Sequence, residues 1–311
     1  MLRSEQRRGW TAAALTIVLW ASAFAGIRVA LKSFDVGELS VLRLMIASLA
    51  LLSVAPFVGV RLPARRDLIA LAAAGLTGMA AYQLLLNAGE QTVTAGTASI
   101  LVNTGPIFVA LLAIRFLGER LTPRAWAGIA LAFAGALIIA LGEGNGISVS
   151  AGALLVLGAA VAQATFFVVQ KPLLSHYSSF AVTTYAMLTG TVMLLPFAPS
   201  VPTAFAHASA AALAATAFLG LGASAIGFFA WAYANARLEV SRAASSLYLV
   251  PAVAIFVAWL WLGELPTLTT IIGGGVAITG VLLTNTARRG SRRTRAETPS
   301  PDESRETTGL R

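Results

Sequence analysis

The sequence predicts an all-α integral membrane protein, with ten transmembrane helices arranged as two inverted five-helix repeats. Three observations carry this reading. Apolar runs of membrane-spanning length recur from Thr11 to Asn285, the basic residues keep to alternate connections, and the second half of the chain repeats the first.

Hydrophobic residues make up 57% of the 311 positions and charged residues only 11%, with a mean hydropathy of +0.80. Soluble domains carry roughly 25% charge, so this chain lacks the charges to cover a water-facing surface. A hydrocarbon core about 30 Å thick takes about 20 residues of helix. Ten segments qualify: 11–31, 39–58, 68–88, 97–116, 125–141, 151–169, 180–198, 210–231, 243–262 and 267–285. Within lipid every backbone polar group needs a partner in the chain, which leaves helices or closed barrels. Barrel strands alternate over about 10 residues, whereas these runs are uniformly apolar.

Charge sets the orientation. With the N-terminus inside, the inner segments hold Arg3, Arg7, Arg8, Arg61, Arg65, Arg66, Arg115, Arg120, Arg124, Lys171, Arg237, Arg242 and the seven tail arginines from Arg288 to Arg311. Only Arg28, Lys32 and Arg43 fall elsewhere. Basic residues collect on the cytoplasmic side, so both termini are expected there, which requires an even number of spans. The start of the chain also mimics a cleavable leader: three arginines, the run Thr11–Trp20, then Ala21-Ser22-Ala23. The apolar stretch continues past that point and has a counterpart in the second half, so retention as the first span is expected.

The net charge of +9 is a topology signal rather than a nucleic-acid patch, because the arginines cluster in the tail with no interleaved aromatics. No nucleic-acid partner is expected. The chain has no cysteine, which excludes disulfides and thiolate metal sites. Its two histidines, His176 and His207, fall in separate connections, so no metal and no cofactor is expected.

The repeat appears when Pro106 is placed over Pro251, a shift of 145 residues. Gly118-Glu119 then falls on Gly263-Glu264, Thr122 on Thr267, Gly128 on Gly273, Gly135 on Gly280 and Gly75 on Gly220. A shift of 142 places Phe24 on Phe166 and Met45 on Met187. Five spans per copy is odd, so the second copy enters from the opposite face. Inverted repeats of this kind place substrate between the halves and alternate access by rocking.

Trp20-Ala-Ser-Ala-Phe24 with Arg28, Leu42-Arg43-Leu44, Pro106 with Leu117-Gly-Glu-Arg-Leu-Thr-Pro123, and Pro251 with Leu262-Gly-Glu-Leu-Pro266 resemble the EamA family of the drug/metabolite transporter superfamily. Leu265 departs from the arginine of the first copy. The resemblance covers residues 10–286 and implies a metabolite exporter, similar to bacterial exporters of aromatic and other neutral amino acids; twenty arginines against two lysines point to a GC-rich genome and hence a bacterial inner membrane. The expected organisation is a cytoplasmic 1–10, a first repeat 11–142, a second repeat 150–286 and a disordered cytoplasmic tail 287–311.

Pro106 and Pro251 lie midway along their spans and free the carbonyls of Val102 and Leu247; lining a wet cavity and kinking for packing are the two readings. Around them lie Asn103, Ser245 and Tyr248, and elsewhere Trp20, Ser22 and Phe24 in span one, Tyr82 and Gln83 in span three, Gln163 and Phe167 at i, i+4 in span six, and Phe228 and Trp231 in span eight. Together they would form an aromatic pocket with few hydrogen bonders, suited to a small amphipathic ligand. Each aromatic equally suits core packing or an interfacial belt.

Arg43, one turn below the outer end of span two, is expected to anchor structure, and Arg28 and Lys32 to anchor the interface. Glu119 and Glu264 are expected to fix turns, and the glycines of spans five and ten to allow close packing within one chain or across a homodimer.

A carrier is the leading function. An intramembrane enzyme finds no GxxxxGK, no HExxH and no histidine within a span, and a channel would need a continuous polar path. A cationic-drug extruder wants a buried carboxylate and a nucleotide-sugar carrier buried cations, and neither occupies a span centre. With no Asp, Glu, Lys or His at any span centre, transport is expected to be facilitative.

Overall fold

The computed structural model describes residues 2–60, 62–117, 122–142, 150–235, 237–238 and 246–297. Those residues form helices and connections, with no strand among them. Eight helices are long and apolar enough to cross a membrane: α1 Glu5–Ala30, α2 Val36–Val58, α3 Arg65–Gly89, α4 Ala95–Leu112, α5 Pro123–Gly142, α6 Ala151–Leu173, α7 Ser179–His207 and α8 Ala210–Ala234. Two shorter apolar helices follow, α9 Leu247–Leu262 and α10 Leu268–Thr284.

Side-chain caps start six of these helices. Thr94, Thr122, Ser150, Ser178, Ser209 and Thr267 each accept the backbone N–H three residues on, at 3.2–3.3 Å. At α2 the Asp35 N–H instead donates to Glu38 Oε2 at 2.9 Å. Gly263 closes α9 with φ +68°, a left-handed turn that favours glycine. The polar start of α1 is helical as far back as Leu2, ahead of the apolar run expected from residue 11. The helix of α10 continues to Glu297, into the segment 287–311 expected to be disordered.

Two irregularities recur at matching places. The middle of α3, Leu76–Ala81, is π-helical, and so is Phe218–Ile226 in α8. Shifted by 145 residues, the first stretch falls inside the second. α4 is interrupted at Asn103–Thr104 before Pro106, and α9 opens with a 3-10 turn, Leu247–Leu249, before Pro251.

The packing repeats as well. α1 packs on α9 and α8, as its repeat mate α6 packs on α4 and α3, and α2 packs on α8 as α7 packs on α3. The most extensive pairing joins α5 to α10. A Cβ on Gly128 would lie 2.7 Å from the Gly280 carbonyl oxygen, and one on Gly273 would lie 2.8 Å from the Gly135 carbonyl oxygen. Gly128 and Gly273 are repeat mates, as are Gly135 and Gly280, so each glycine packs against the mate of the other. This seam lies within one chain.

Side-chain bonds define the two ends of the bundle. At one end Arg28 in the last turn of α1, Glu90 after α3 and Glu264 after α9 meet, and Ser33 bonds Ser209 at 3.4 Å. The start of α6 is here too, because a Cβ on Gly89 would lie 2.8 Å from the Gly152 carbonyl oxygen. The end of α1 and the start of its mate α6 therefore share one end of the bundle. At the other end Glu5 pairs with Arg237 at 2.9 Å, and the Tyr177 hydroxyl donates to Asp67 Oδ2 at 2.8 Å.

Candidate functional site

Trp20, Phe228 and Trp231 come together between α1 and α8, with ring centroids 5.2 and 5.8 Å from Trp20. Trp20 Nε1 donates to the Ala223 carbonyl at 3.0 Å, and Thr16 Oγ1, one turn earlier, donates to the Gly227 carbonyl at 3.3 Å. Both acceptors lie in or beside the π stretch of α8, where the wider turn displaces carbonyls from the regular helical ladder. Gly227 admits this approach, since a Cβ there would sit 2.7 Å from Trp20 Nε1.

Phe24 is buried in the main apolar core, and Trp20 and Tyr82 pack against the same cluster. Ser22 is also buried. Gln163 faces the interrupted part of α4, its Oε1 being 3.9 Å from where a Cβ on Gly105 would stand. Phe167, on the next turn, is 41% exposed, while its neighbour Phe166 packs over Gly78 in the π stretch of α3. Asn103 donates to the Ser99 carbonyl at 2.8 Å, within its own broken helix. Tyr248 packs against Ile107, Ile129, Ala132 and Val281, between α4, α5 and α10, apart from the Trp20 cluster. Ser245 and Glu119 lie outside the described residues.

Beside the aromatic cluster runs a buried polar ladder. Arg43 on α2 donates from Nη1 to Gln83 Oε1 and from Nε to Ser224 Oγ, both at 3.0 Å. It is 5% exposed and joins α2, α3 and α8 inside the protein rather than reaching for the interface. One turn along α3, Asn87 Nδ2 donates to Ser40 Oγ at 2.9 Å. Gln83, Asn87 and Glu90 stand at i, i+4, i+7, one face of a helix. Gln83 is among the residues expected at the site and Asn87 is not; the spacing of Gln83, Asn87 and Glu90 in an otherwise apolar span was the available signal.

The ladder ends under a charged closure. Arg28 Nε meets Glu264 Oε1 at 3.1 Å, and Arg28 Nη1 donates to the Glu90 backbone carbonyl at 2.6 Å. Glu264 Oε2 also accepts the Ala95 N–H at 3.0 Å, placing a carboxylate on the positive N-terminus of α4. Glu264 therefore ties three helices together instead of fixing its own turn. Glu90, just beyond α3, is fully buried, and neither carboxylate oxygen has a hydrogen-bond partner. Burial pushes its carboxyl well above 4.5; Arg28 and Arg43 oppose the rise and Glu264 adds to it. The expectation of facilitative transport rests on span centres free of Asp, Glu, Lys and His; Glu90, just beyond the end of α3, is a buried acid outside those centres.

Comparison with known proteins gives one consistent answer. The EamA-like transporter family matches residues 7–141 and 150–286. A probable terminal-alkyne amino-acid exporter of Streptantibioticus cattleyicolor is 50% identical over 285 residues, covering 92% of this chain and 95% of the relative. The uncharacterized transporter YdfC of Bacillus subtilis is 40% identical over 270 residues, covering 87% and 88%. A probable amino-acid metabolite efflux pump of Escherichia coli is 31% identical over 195 residues, covering 61% and 62%. One crystal structure shares the fold with a TM-score of 0.58 at 19% identity, covering 92% of this chain and 97% of its own. With its apolar helices and its duplicated match, this chain belongs to the EamA-like transporter family and is a multi-pass membrane transporter.

Proposed function

We propose that the protein exports small neutral amino acids with apolar side chains, by alternating access between two inverted halves that cross the membrane ten times in all. The reciprocal packing of Gly128 on Gly280 and of Gly135 on Gly273 carries this reading. Two copies that exchange equivalent contacts are related by a two-fold axis. The opposed directions of α1 and α6 support an axis in the membrane plane. Such a pair has two conformations of similar energy, open to opposite sides, which is what a carrier requires.

We take the cavity side to be the one with the interrupted α4, the 3-10 opening of α9 and the π stretches of α3 and α8. Irregular backbone is tolerated at membrane depth where protein or a water-filled cavity meets it. Trp20, Tyr82, Phe228 and Trp231 offer aromatic surface, while Gln83, Asn103 and Gln163 offer sparse hydrogen bonding. That chemistry suits an amino acid with an apolar side chain, and the relatives from S. cattleyicolor and E. coli are named a probable terminal-alkyne amino-acid exporter and a probable amino-acid metabolite efflux pump.

Trans-stimulated exchange in proteoliposomes tests it, using neutral aromatic and terminal-alkyne amino acids, a cationic drug and a nucleotide sugar. Saturable exchange of the neutral amino acids is expected. Exchange of only the drug or the nucleotide sugar would overturn the substrate, and non-saturating flux would overturn the carrier.

A further inference from the structure

We propose that the Glu90 carboxyl is a proton-binding site, and that its proton holds the Arg28–Glu264 closure shut. The inference deepens the alternating-access reading and rests on it for which end is the outer one.

The closed arrangement requires a neutral Glu90. Its carboxyl is fully buried and both oxygens lack hydrogen-bond partners. An isolated charge in such a place costs far more than keeping the proton, so the group neutralises instead. The charged and titratable groups around it are few. α1 contributes Arg28, α2 contributes Arg43, with Glu38 nearer its start, α3 itself contributes Tyr82, and Glu264 follows α9. α6, packed alongside α3, carries no titratable residue before Lys171.

Arg28 is already committed. Its Nε pairs with Glu264, and its Nη1 rests on the Glu90 backbone carbonyl. If Glu90 loses its proton, its carboxylate competes with Glu264 for a guanidinium that already touches the same residue. Rotation of the Arg28 side chain toward Glu90 breaks the tie between α1 and the end of α9. Glu264 stays on the Ala95 N–H, so α4 and α9 remain joined while α1 parts from them. Opening and release go together: water that enters as the outer end opens takes the Glu90 proton to the outer aqueous phase.

The direction of the pH effect follows. The closed form binds the proton more tightly than the open form, in which water reaches the carboxyl. Low external pH therefore favours closure, and raising the pH above the usual glutamate range favours opening. For one proton bound in one form only, the open-to-closed ratio changes by at most about tenfold per pH unit.

The chain has no cysteine of its own, so a single Ala95→Cys reports the closure cleanly. Ala95 is fully buried at the start of α4, under the Glu264 carboxylate. Proteoliposomes of the full chain are labelled from the outer face with a membrane-impermeant maleimide, without substrate, from about pH 5.5 to about 8.5, and rates are corrected for thiolate content. Corrected labelling should rise several-fold with pH in the Ala95→Cys protein, and stay low and flat when Glu90→Gln is added. A flat profile without Glu90→Gln, or an equal slope with it, overturns the proposal. If Glu90→Gln fails to insert, Glu90→Asp takes its place: the slope should persist with a shifted midpoint, and an unchanged midpoint overturns the proposal. Amino-acid exchange in the same liposomes reports the transport reading separately, so the two fail distinguishably.

Discussion

Arg43 and Gln83 meet at 3.0 Å in the interior, on helices joined by a connection that runs through the far end of the bundle. The same guanidinium holds Ser224 in the other repeat. One side chain thus fastens α2 to α3 and α8 at the depth where the proposed cavity lies. A planar guanidinium makes both bonds at once, and an ammonium does not reproduce that fork.

Replacing Arg43 tests this joint. Arg43→Met leaves Gln83 Oε1 and Ser224 Oγ without their donor, at a cost of about 1–3 kcal/mol each where no substitute partner is found. A lower unfolding temperature in detergent is expected, with Arg43→Lys recovering only part of the loss. Full recovery by lysine would show that charge alone suffices.

Trp20 separates ring contact from hydrogen bond. Trp20→Phe keeps an aromatic surface toward Phe228 and Trp231 but removes the bond to the Ala223 carbonyl. A stability loss of about 1 kcal/mol is expected, with exchange retained. Trp20→Ala removes the surface as well, and most amino-acid exchange should go with it while insertion persists. Wild-type exchange in the alanine variant would remove Trp20 from the substrate path.

The α5–α10 seam predicts a contrast between neighbouring glycines. A Cβ at Gly135 would overlap the backbone nitrogen of Ala277, whereas one at Gly275 meets nothing within 4 Å. Gly135→Ala should destabilise by about 1–3 kcal/mol through overpacking. Gly275→Ala should be neutral or slightly stabilising, since alanine is the better helix former. Thermal unfolding of the two purified variants gives the comparison.

Topology is open to a direct check. Reporter fusions should place both termini in the cytoplasm and the connection at residues 143–149 outside. A cytoplasmic reporter at residue 146 would break the inverted arrangement.

Much of the fold was legible because membrane helices announce themselves by length and polarity alone. Segments expected at 39–58, 151–169 and 210–231 correspond to Val36–Val58, Ala151–Leu173 and Ala210–Ala234. The shift of 145 residues was legible from prolines and glycines, which mark backbone requirements. It also relates the π stretches, although no residue type signals a π turn. The site was less legible. Trp20, Phe228 and Trp231 were singled out and do meet, but Tyr248 packs elsewhere and Phe167 is exposed. A residue's own helix fixes which face it occupies, and only the neighbouring helix decides what that face meets. Arg43 shows the limit: its position near a span end suggested snorkelling, yet α3 and α8 supply its partners inside. Glu90 sits at a turn where sequence suggests water, and its enclosure comes from side chains far along the chain.

The glycine seam also bears on how such a molecule would move. Points on a two-fold axis stay in place when two halves exchange roles, and in the proposed inverted arrangement Gly128, Gly135, Gly273 and Gly280 would surround that line. Backbones in such close contact cannot slide without collision, since the surfaces interlock carbonyl against Cα. Under the proposed alternating access, the α5–α10 pair would act as the pivot, a stationary spindle about which the other helices tilt. Its near-absence of large side chains between the two backbones is what makes it stiff enough to transmit a rotation rather than absorb it.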